Sequence, residues 1–516
     1  MSVEIATSAI RTENFRKTLG RLDIIFLSVA AIISIDTVAQ IAAGGGAQAF
    51  TWTLVIGVTF LLPYAFVVSE LGSAFHEEGG PFVWVRLAFG KLAASIATMF
   101  YWITNPLWMG GSLVFISAAT WDAYISPLPS GSVGDYVFKI AFIWLAILVA
   151  IIGLRYGKIV VAAGGIAKVA LLAIFVVTVV IYAIQNGVHG YAAGEFSPTL
   201  GGFLAVTPVI LFAVVGFEAP NGAAEEMRDP QKDVPKAVAS SGLISILCYL
   251  VPIFAILAVL PADKVQGATG LLDAFKEVFR VYGPAAGPLM WIAAIVFVFV
   301  VLTQASAWMI ASDRVQAAAG ADGAFFRYFG KFSPRLGTPV RMNMLSGIVA
   351  TVFCVAATVL LSGSAAAAFT VVLTVAISTL LLSYLVIFPT VVALRRKHPD
   401  VPRPFRVPGG TAGLWICTIV IYAWVVLGSW VAVFPGTLEG LFGVAYDFHD
   451  VWGVDRLTFE GFTISTLVVI ALLALVGNLY ERRRPGYSPE DPETASALDV
   501  DALAAHENRP AATRIP

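Results

Sequence analysis

Three ionisable residues stand inside long apolar segments of this 516-residue chain, at Asp36, Lys168 and Glu218. A charge in the middle of a membrane-spanning helix costs about 2.5 to 3.5 kcal/mol even on lenient insertion scales, so each needs a physical reason. A buried carboxylate can pair with a cationic solute or carry a proton, and a buried lysine can act as a fixed cation. The three residues therefore indicate solute or ion chemistry inside a membrane.

Both carboxylates stand where a helix is expected to break. Asp36 lies in "SIDT" between Ser34 and Thr37, and the "AAGGG" that follows weakens helix continuity. Glu218 lies in "GFEAPNG", where Pro220 removes a backbone donor. Broken backbone at membrane depth is tolerated only where it is buried in protein or lines a watery cavity. The two breaks predict a binding cavity between them.

Each ionisable residue also has a plainer interpretation. Asp36 either pairs with a substrate ammonium group or breaks the helix by accepting local backbone N–H bonds. Glu218 either carries a proton or is a structural acid bonded across the bundle. Lys168 lies roughly 15 Å along its span at helical rise, too deep for an interface anchor, and as a permanent charge it would pair with a neighbouring carbonyl or carboxylate.

The elements that carry these residues are membrane spans. The chain is 58% hydrophobic and 13% charged, with a mean hydropathy of +0.85. Repeated windows of about 18 to 25 apolar residues predict an all-α integral membrane protein. The predicted spans number about twelve: 22–43, 51–74, 92–118, 137–154, 159–185, 203–225, 237–260, 287–311, 343–362, 366–393, 411–434 and 462–480.

Basic residues fall almost entirely on one side of these spans. With a cytoplasmic N-terminus, 26 of the 32 Lys and Arg residues lie in inside segments, five lie outside and one is Lys168. This asymmetry predicts a multi-pass protein of the plasma (inner) membrane with both termini in the cytoplasm. The sequence divides into an N-terminal arm 1–21, spans from 22 to 480, and a tail 481–516 whose composition predicts disorder.

The two breaks fall in spans one and six, which are five spans apart. A repeat with an odd number of spans begins its second copy on the opposite face, so the two copies form an inverted pair. The predicted repeats are 22–185 and 203–393, followed by two accessory spans within 411–480. A short amphipathic helix is expected in the loop between spans seven and eight.

The break in span six carries a family resemblance. "GFEAPNGAAEEMRDPQKDVPKAV" resembles the sixth-span signature of the amino acid, polyamine and organocation (APC) permeases. The resemblance implies a LeuT-like five-plus-five inverted repeat with two extra C-terminal helices, and a secondary carrier that moves amino acids or related amines by alternating access. Four more matches follow the family's order: "ELGSAFHEEGGPFVWVRLAFG", "SDRVQAAAGADG", "SPRLGTPVRMN" and "RRKHPDVPRPFRVPGG".

The arginine/agmatine type of exchanger in this family implies roles for single positions. By this resemblance Phe212 closes over bound substrate, Glu218 serves proton-linked gating, and Trp308 packs beside the substrate. "YWITN" is similar to a pocket stretch of that type and puts Asn105 at the site. The expected substrate-binding residues are Ser34, Asp36, Thr37, Asn105, Phe212, Val215, Gly216, Phe217 and Trp308.

Coupling is expected at Glu218 and Lys168. In sodium-coupled relatives a cation sits between spans one and eight, and in some proton-coupled ones a span-five lysine takes its place, which implies that Lys168 carries the coupled proton. Span one lacks the family's glycine-rich turn for a substrate carboxylate, and "SIDT" is similar instead to a stretch of polyamine uptake carriers. An acidic pair at Asp36 and Glu218 favours a cationic or amine-bearing solute.

Other function classes lack their motifs. The sequence has no nucleotide-binding motif, and its five histidines fall in predicted loops or the tail, so we expect no enzyme, cofactor, metal or nucleic-acid partner. Protons, a small amine or amino acid and the lipid bilayer are the expected partners, with proton coupling or exchange as the energy source. The alternatives are a polyamine-specific importer of the same fold and a channel or sensor derived from a transporter.

Overall fold

The computed structural model describes residues 17–152, 156–261, 264–265, 270–360 and 365–483. Within these ranges the chain is helical, and the one strand-like feature is a bridge between Leu19 and Met227. The α-helices are α1 (Arg21–Ile32), α2 (Ile35–Gly45), α3 (Ala47–Ile56), α4 (Leu62–Ala74), α5 (Gly80–Phe89), α6 (Lys91–Trp108), α7 (Val114–Tyr124), α8 (Val133–Ile151), α9 (Gly157–Asn186), α10 (Leu200–Ala213), α11 (Pro230–Val259), α12 (Gly270–Val278), α13 (Ala286–Ala321), α14 (Val340–Leu360), α15 (Ala365–Ile387), α16 (Thr390–Lys397), α17 (Gly410–Val433), α18 (Thr437–Leu441), α19 (Phe448–Trp452) and α20 (Arg456–Arg482).

Most of these helices are membrane spans. In the described ranges nine helical stretches are long and apolar enough to cross a membrane, and some of them join two of the helices named above. The bent pair α1 and α2 makes a tenth. The chain is therefore a multi-pass membrane protein. The two remaining predicted spans, 92–118 and 203–225, match a continuous helical stretch through α6 and α7 and the shorter α10, so the count of twelve stays a prediction.

Both predicted helix breaks are confirmed. α1 and α2 meet at a 42° bend, with Ile33 and Ser34 outside helical geometry between them. α10 ends at Ala213 and helical structure resumes only as a 3₁₀ segment, Ala219–Glu226. Gly216 inside the second break has φ 130°, a conformation that favours glycine because a Cβ would clash there.

Two π turns adjust the direction of side chains near these breaks. The first, Gly57–Leu61, is followed by Pro63 and leads into Tyr64; the second, Met109–Leu113, comes directly after Trp108. A π turn inserts one extra residue into the helix and so rotates the residues around it relative to an ideal helix. Both Tyr64 and Trp108 point into the interior and are 0% and 2% exposed.

A pair of glycines brings three spans close together. A Cβ on Gly164 of α9 would lie 1.9 Å from the Thr303 hydroxyl of α13, and one on Gly165 would lie 3.2 Å from the Phe26 carbonyl of α1. Only residues without a side chain allow this approach. One turn further along α9, Lys168 therefore reaches both α1 and α13.

The amphipathic helix expected between spans seven and eight is confirmed as α12. Leu271, Leu272 and Phe275 are buried on its inner face. Two tyrosine hydroxyls from other helices bind its polar face: Tyr124 donates to Asp273 at 2.5 Å, and Tyr182 donates to Glu277 at 3.0 Å.

Candidate substrate and coupling site

The break in span one holds the ammonium group of Lys168. Lys168 Nζ donates to the carbonyls of Ala30, at 2.9 Å, and Ile33, and to Gln304 Oε1 at 2.8 Å. The two carbonyls belong to the C-terminal end of α1, where the helix dipole favours a cation. Three acceptors match the three donors of a protonated lysine.

Asp36 lies on the other side of the same break. It stands in the first turn of α2, where exposed backbone amides and the helix dipole favour an anion. Its carboxylate is 1% exposed and accepts hydrogen bonds from Gln304 Nε2 at 2.9 Å and from Trp108 Nε1 at 3.2 Å. Both of these donors are uncharged.

Tyr249 of α11 joins the two breaks. Its hydroxyl accepts from the backbone N–H of Ser34 at 2.6 Å. The same oxygen lies 2.8 Å from the carbonyl of Ile32 and 2.7 Å from that of Ala213, the last residues of α1 and α10. The phenol thus satisfies the Ser34 N–H, and its one hydrogen is available to either of the two carbonyls, which the broken helices leave without helical partners.

Glu218 lies inside a ring of three tyrosines. Its Oε1 accepts from Tyr101 at 3.1 Å and Tyr384 at 2.7 Å, and its Oε2 accepts from Tyr64. The Tyr64 hydroxyl also accepts from the backbone N–H groups of Gly216 and Phe217, both at 2.9 Å. These contacts connect α4, α6 and α15 to the break in span six.

Thr37, Trp308 and Phe212, which the sequence also predicts as site residues, lie around the two breaks. Thr37 donates to the carbonyl of Ser34 and closes the turn at the first break. Trp308 Nε1 donates to the Ala31 carbonyl at 3.0 Å, and the ring lies against Gly216. The Phe212 ring meets Trp108 edge-on at 5.2 Å.

The last three predicted site residues to be placed are Val215, Phe217 and Asn105. Val215 is buried in the second break, and Phe217 packs on Tyr64 with ring centres 5.0 Å apart. The Asn105 amide donates to the Tyr101 carbonyl of its own helix at 3.2 Å. No described contact joins Asn105 to Asp36; that position is taken by Trp108, one turn further along.

Sequence reasoning missed the uncharged partners of the three ionisable residues. The missed residues are Gln304, Trp108, Tyr249, Tyr64, Tyr101 and Tyr384. One signal was available for Gln304, since an amide in the middle of an apolar span is itself costly to bury without partners. The tyrosines and the tryptophan carry no such signal because aromatic residues are common in apolar helices.

The segments that carry the family resemblance meet at the end of the bundle that carries Leu19. Arg314 of "SDRVQAAAG" donates to Glu78 and, at 2.6 Å, to Glu226. It also donates to the carbonyl of Gly337 in "SPRLGTPV" at 2.9 Å. Burial raises the pKa of Glu78 to about 8, with Glu226 and Glu225 adding to the rise, although the Arg314 guanidinium acts in the opposite direction.

A second ion-pair cluster at the same end of the bundle binds the motif "RRKHPDVPRPFRVPGG". Arg395 binds Glu70 through Nε at 2.7 Å and Nη2 at 2.5 Å. Arg403 lies 3.5 Å from the same carboxylate, and the Val407 backbone N–H donates to it at 2.7 Å. The motifs thus interlock at this end of the bundle around three buried carboxylates, Glu70, Glu78 and Glu226.

The broken spans, their buried charges and the interlocked loops define a secondary-transporter architecture. A family model described as "Amino acid permease" matches residues 19–442. The chain belongs to this family, and it is a secondary transporter for amino acids or related amines.

Known relatives are similar over most of their length. A protein of Lactococcus lactis named a probable agmatine/putrescine antiporter is 27% identical over 77% of this chain and 84% of its own. An uncharacterized transporter of Legionella pneumophila is 29% identical over 77% and 85%. A branched-chain amino acid permease of Bacillus subtilis is 24% identical over 81% and 92%.

Proposed function

We propose that this permease carries an amine or amino acid whose ammonium group pairs with Asp36, in exchange for another solute or a proton. The proposal rests on the burial of the Asp36 carboxylate and on the groups that bind it. The carboxylate is buried, yet both side chains that bind it are neutral donors. A cationic group therefore gains a charge-assisted bond there that Gln304 and Trp108 do not supply.

The surrounding side chains suit an amine with an apolar body. Phe212 and Trp108 form an aromatic corner beside the carboxylate. Val215, Gly216 and Phe217 belong to the facing break, and Trp308 of α13 lies against Gly216. Ser34, Thr37 and Asn105 complete the proposed set of substrate-binding residues. The similarity to a protein named an agmatine/putrescine antiporter supports both the amine and the exchange.

Lys168 is the proposed coupling residue. Its three acceptors are arranged for an ammonium group, and two of them are carbonyls at the end of α1. A neutral amine has only two N–H donors, so loss of the proton removes one of the three bonds. Deprotonation would also remove the positive charge that these carbonyls bind, and so weaken the hold on the end of α1 and allow that half-helix to move.

Glu218 is the proposed gate. Its three tyrosine partners come from three different helices, so the carboxylate holds the second break closed against α4, α6 and α15. A proton on Glu218 would turn one acceptor oxygen into a donor and weaken this ring. Opening of the ring is the proposed step that links protonation to access.

The five-plus-five arrangement is supported by the two tyrosines that satisfy the breaks. Tyr64 lies in the second predicted span and binds the break of span six; Tyr249 lies in the seventh and binds the break of span one. An inverted repeat relates span two to span seven, so it relates these two contacts. From these two contacts and from the excess of basic residues in alternate loops, we propose two five-helix repeats, two accessory helices and cytoplasmic termini for a protein of the plasma membrane.

The test is uptake of labelled agmatine, putrescine, arginine and leucine into proteoliposomes, with and without unlabelled solute inside and with and without a pH gradient. We expect saturable uptake of a cationic solute that internal solute accelerates. Asp36→Asn should lower that uptake at least tenfold, which corresponds to about 1.4 kcal/mol.

Asp313→Asn is the matched control. Asp313 is 0% exposed and lies outside both breaks, and like Asp36 it accepts from neutral donors, Trp102 Nε1 at 2.9 Å and Asn343 Nδ2 at 2.6 Å, so the substitution leaves no buried cation unpaired. Uptake that survives Asp36→Asn unchanged in folded protein contradicts the proposal. Flux that rises without saturation in the wild type indicates a channel instead.

A further inference from the structure

Gln304 of α13 is the single side chain that connects Lys168 to Asp36 in the described structure. Its Oε1 accepts from Lys168 Nζ at 2.8 Å, and its Nε2 donates to Asp36 Oδ1 at 2.9 Å. The backbone N–H of Ile35 also points at Oε1, at 3.4 Å. Gln304 is 0% exposed, so water does not compete for these bonds.

The two charges fix the orientation of this amide. An ammonium group only donates hydrogen bonds and an ionised carboxylate only accepts them. The reverse orientation would place the NH₂ group against Lys168 and the carbonyl against Asp36. The amide therefore keeps its orientation while Lys168 and Asp36 are both charged. It is free to turn when either residue is neutralised or when another group binds to it.

A bound substrate cation changes the charge balance around this amide. The empty site holds one ammonium and one carboxylate. A second cation on Asp36 leaves two buried cations with one carboxylate, and an uncompensated buried charge is strongly unfavourable. Release of one proton from Lys168 Nζ to solvent restores the original net charge.

We propose that Gln304 is the positioning residue that makes Lys168 release its proton when a substrate ammonium binds Asp36. The incoming ammonium displaces Nε2 from the carboxylate, the amide turns, and Oε1 leaves Lys168 Nζ. The displaced NH₂ group can then donate to the lone pair of the neutral lysine. This inference rests on the proposed function, and it deepens it by making substrate and proton alternate at one site.

Other titratable groups near the bridge do not supply the missing charge. Asp36 comes from α2, and from α11 the Cys248 thiol faces Lys168 and the Tyr249 phenol faces Asp36. No second carboxylate is described next to Lys168. The proton balance therefore depends on Asp36, Lys168 and the amide between them.

The test measures protons released per agmatine bound to purified protein, by calorimetry in two buffers of different ionisation enthalpy between pH 6 and 8.5. The wild type should release about one proton, because the ammonium group of agmatine at Asp36 replaces the ammonium group of Lys168 in the charge balance. The guanidinium group of agmatine adds a further positive charge, which also favours this release. Gln304→Met keeps the length of the side chain but neither bond, so it should still bind agmatine and release less than half as many protons.

Gln316→Met is the matched control, since Gln316 is an equally buried glutamine of α13 whose one hydrogen bond in the described structure is to Met99. It should behave as wild type. Should Gln304→Met fail to fold, Gln304→Glu supplies a second carboxylate beside Lys168, which compensates the second cation and should also suppress release.

The outcomes separate the two proposals. Wild-type proton release in the Gln304 variants overturns the role of Gln304 alone. Failure of the wild type to bind any of agmatine, putrescine, arginine and leucine, or unchanged binding of the accepted solute by Asp36→Asn, contradicts the proposed function and removes the basis of this inference as well.

Discussion

The hydroxyl of Tyr64 holds the second break together, and its removal should be more costly than that of either neighbouring tyrosine hydroxyl. It accepts from the N–H groups of Gly216 and Phe217 and donates to Glu218. This use of one donor and two acceptor positions exhausts the bonding capacity of a phenol. Tyr64→Phe leaves two buried amides without an acceptor.

The magnitude follows from the number of groups left unpaired. Each buried amide without a partner costs about 1 to 3 kcal/mol, and the lost bond to the carboxylate costs about 1.5 to 3 kcal/mol. Within the described part of the chain, the Tyr384 hydroxyl makes one hydrogen bond, to Glu218, and Tyr384→Phe loses that bond alone. The Tyr64 variant should therefore be less stable than the Tyr384 variant by about 2 to 6 kcal/mol.

Two measurements distinguish the variants. In detergent, the apparent melting temperature should fall in the order wild type, Tyr384→Phe, Tyr64→Phe. Hydrogen exchange of a peptide that covers residues 212–220 should be at least about thirtyfold faster in Tyr64→Phe than in Tyr384→Phe, the factor that 2 kcal/mol represents. Equal exchange in the two variants would refute the reasoning, because it would mean that water or another group satisfies the amides.

Two further predictions concern the charged residues. Lys168→Met should abolish the response of uptake to a pH gradient in proteoliposomes, because the proposed proton carrier is gone; a response of full size would show that another group carries the proton. Burial raises the pKa of Glu78 from 4.5 to about 8, so the folded state binds this proton more tightly than the unfolded state does. The stability that this carboxyl contributes should be complete below pH 4.5 and be lost as the pH rises to about 8. Melting temperatures in detergent should show this slope in the wild type and lose it in Glu78→Gln, and a slope that persists in the variant contradicts the assignment.

The sequence was sufficient to find the ionisable residues and the breaks because their signals are local. Asp36, Lys168 and Glu218 stand out since a charge in an apolar span is unfavourable whatever surrounds it. The second break follows from glycine and proline, whose backbone preferences act at their own positions. The first break falls at Ile33 and Ser34, ten positions before Gly44, and its local signal is the polar run from Ser34 to Thr37. The same holds for α12, whose apolar residues recur at helical spacing.

The partners could not be predicted because they are tertiary contacts between distant positions. Gln304 binds a carboxylate 268 positions away, and Tyr384 binds one 166 positions away. Asn105 illustrates a related limit. Asn105 bonds within α6, whereas Trp108, three positions later on the same helix, reaches Asp36, and the motif letters do not show this difference.

One feature of span one accounts for the arrangement of the whole site. A continuous helix would offer neither free carbonyls nor free amides at this depth, whereas a break exposes the negative end of α1 and the positive end of α2 within a few residues. Lys168 binds the first and Asp36 belongs to the second, so the cation and the anion are separated by little more than the amide of Gln304. A solute cation that pairs with Asp36 must therefore enter the field of Lys168. In the proposed mechanism, substrate and proton compete because the backbone break places both charges at one point, and no long-range pathway between separate sites is needed.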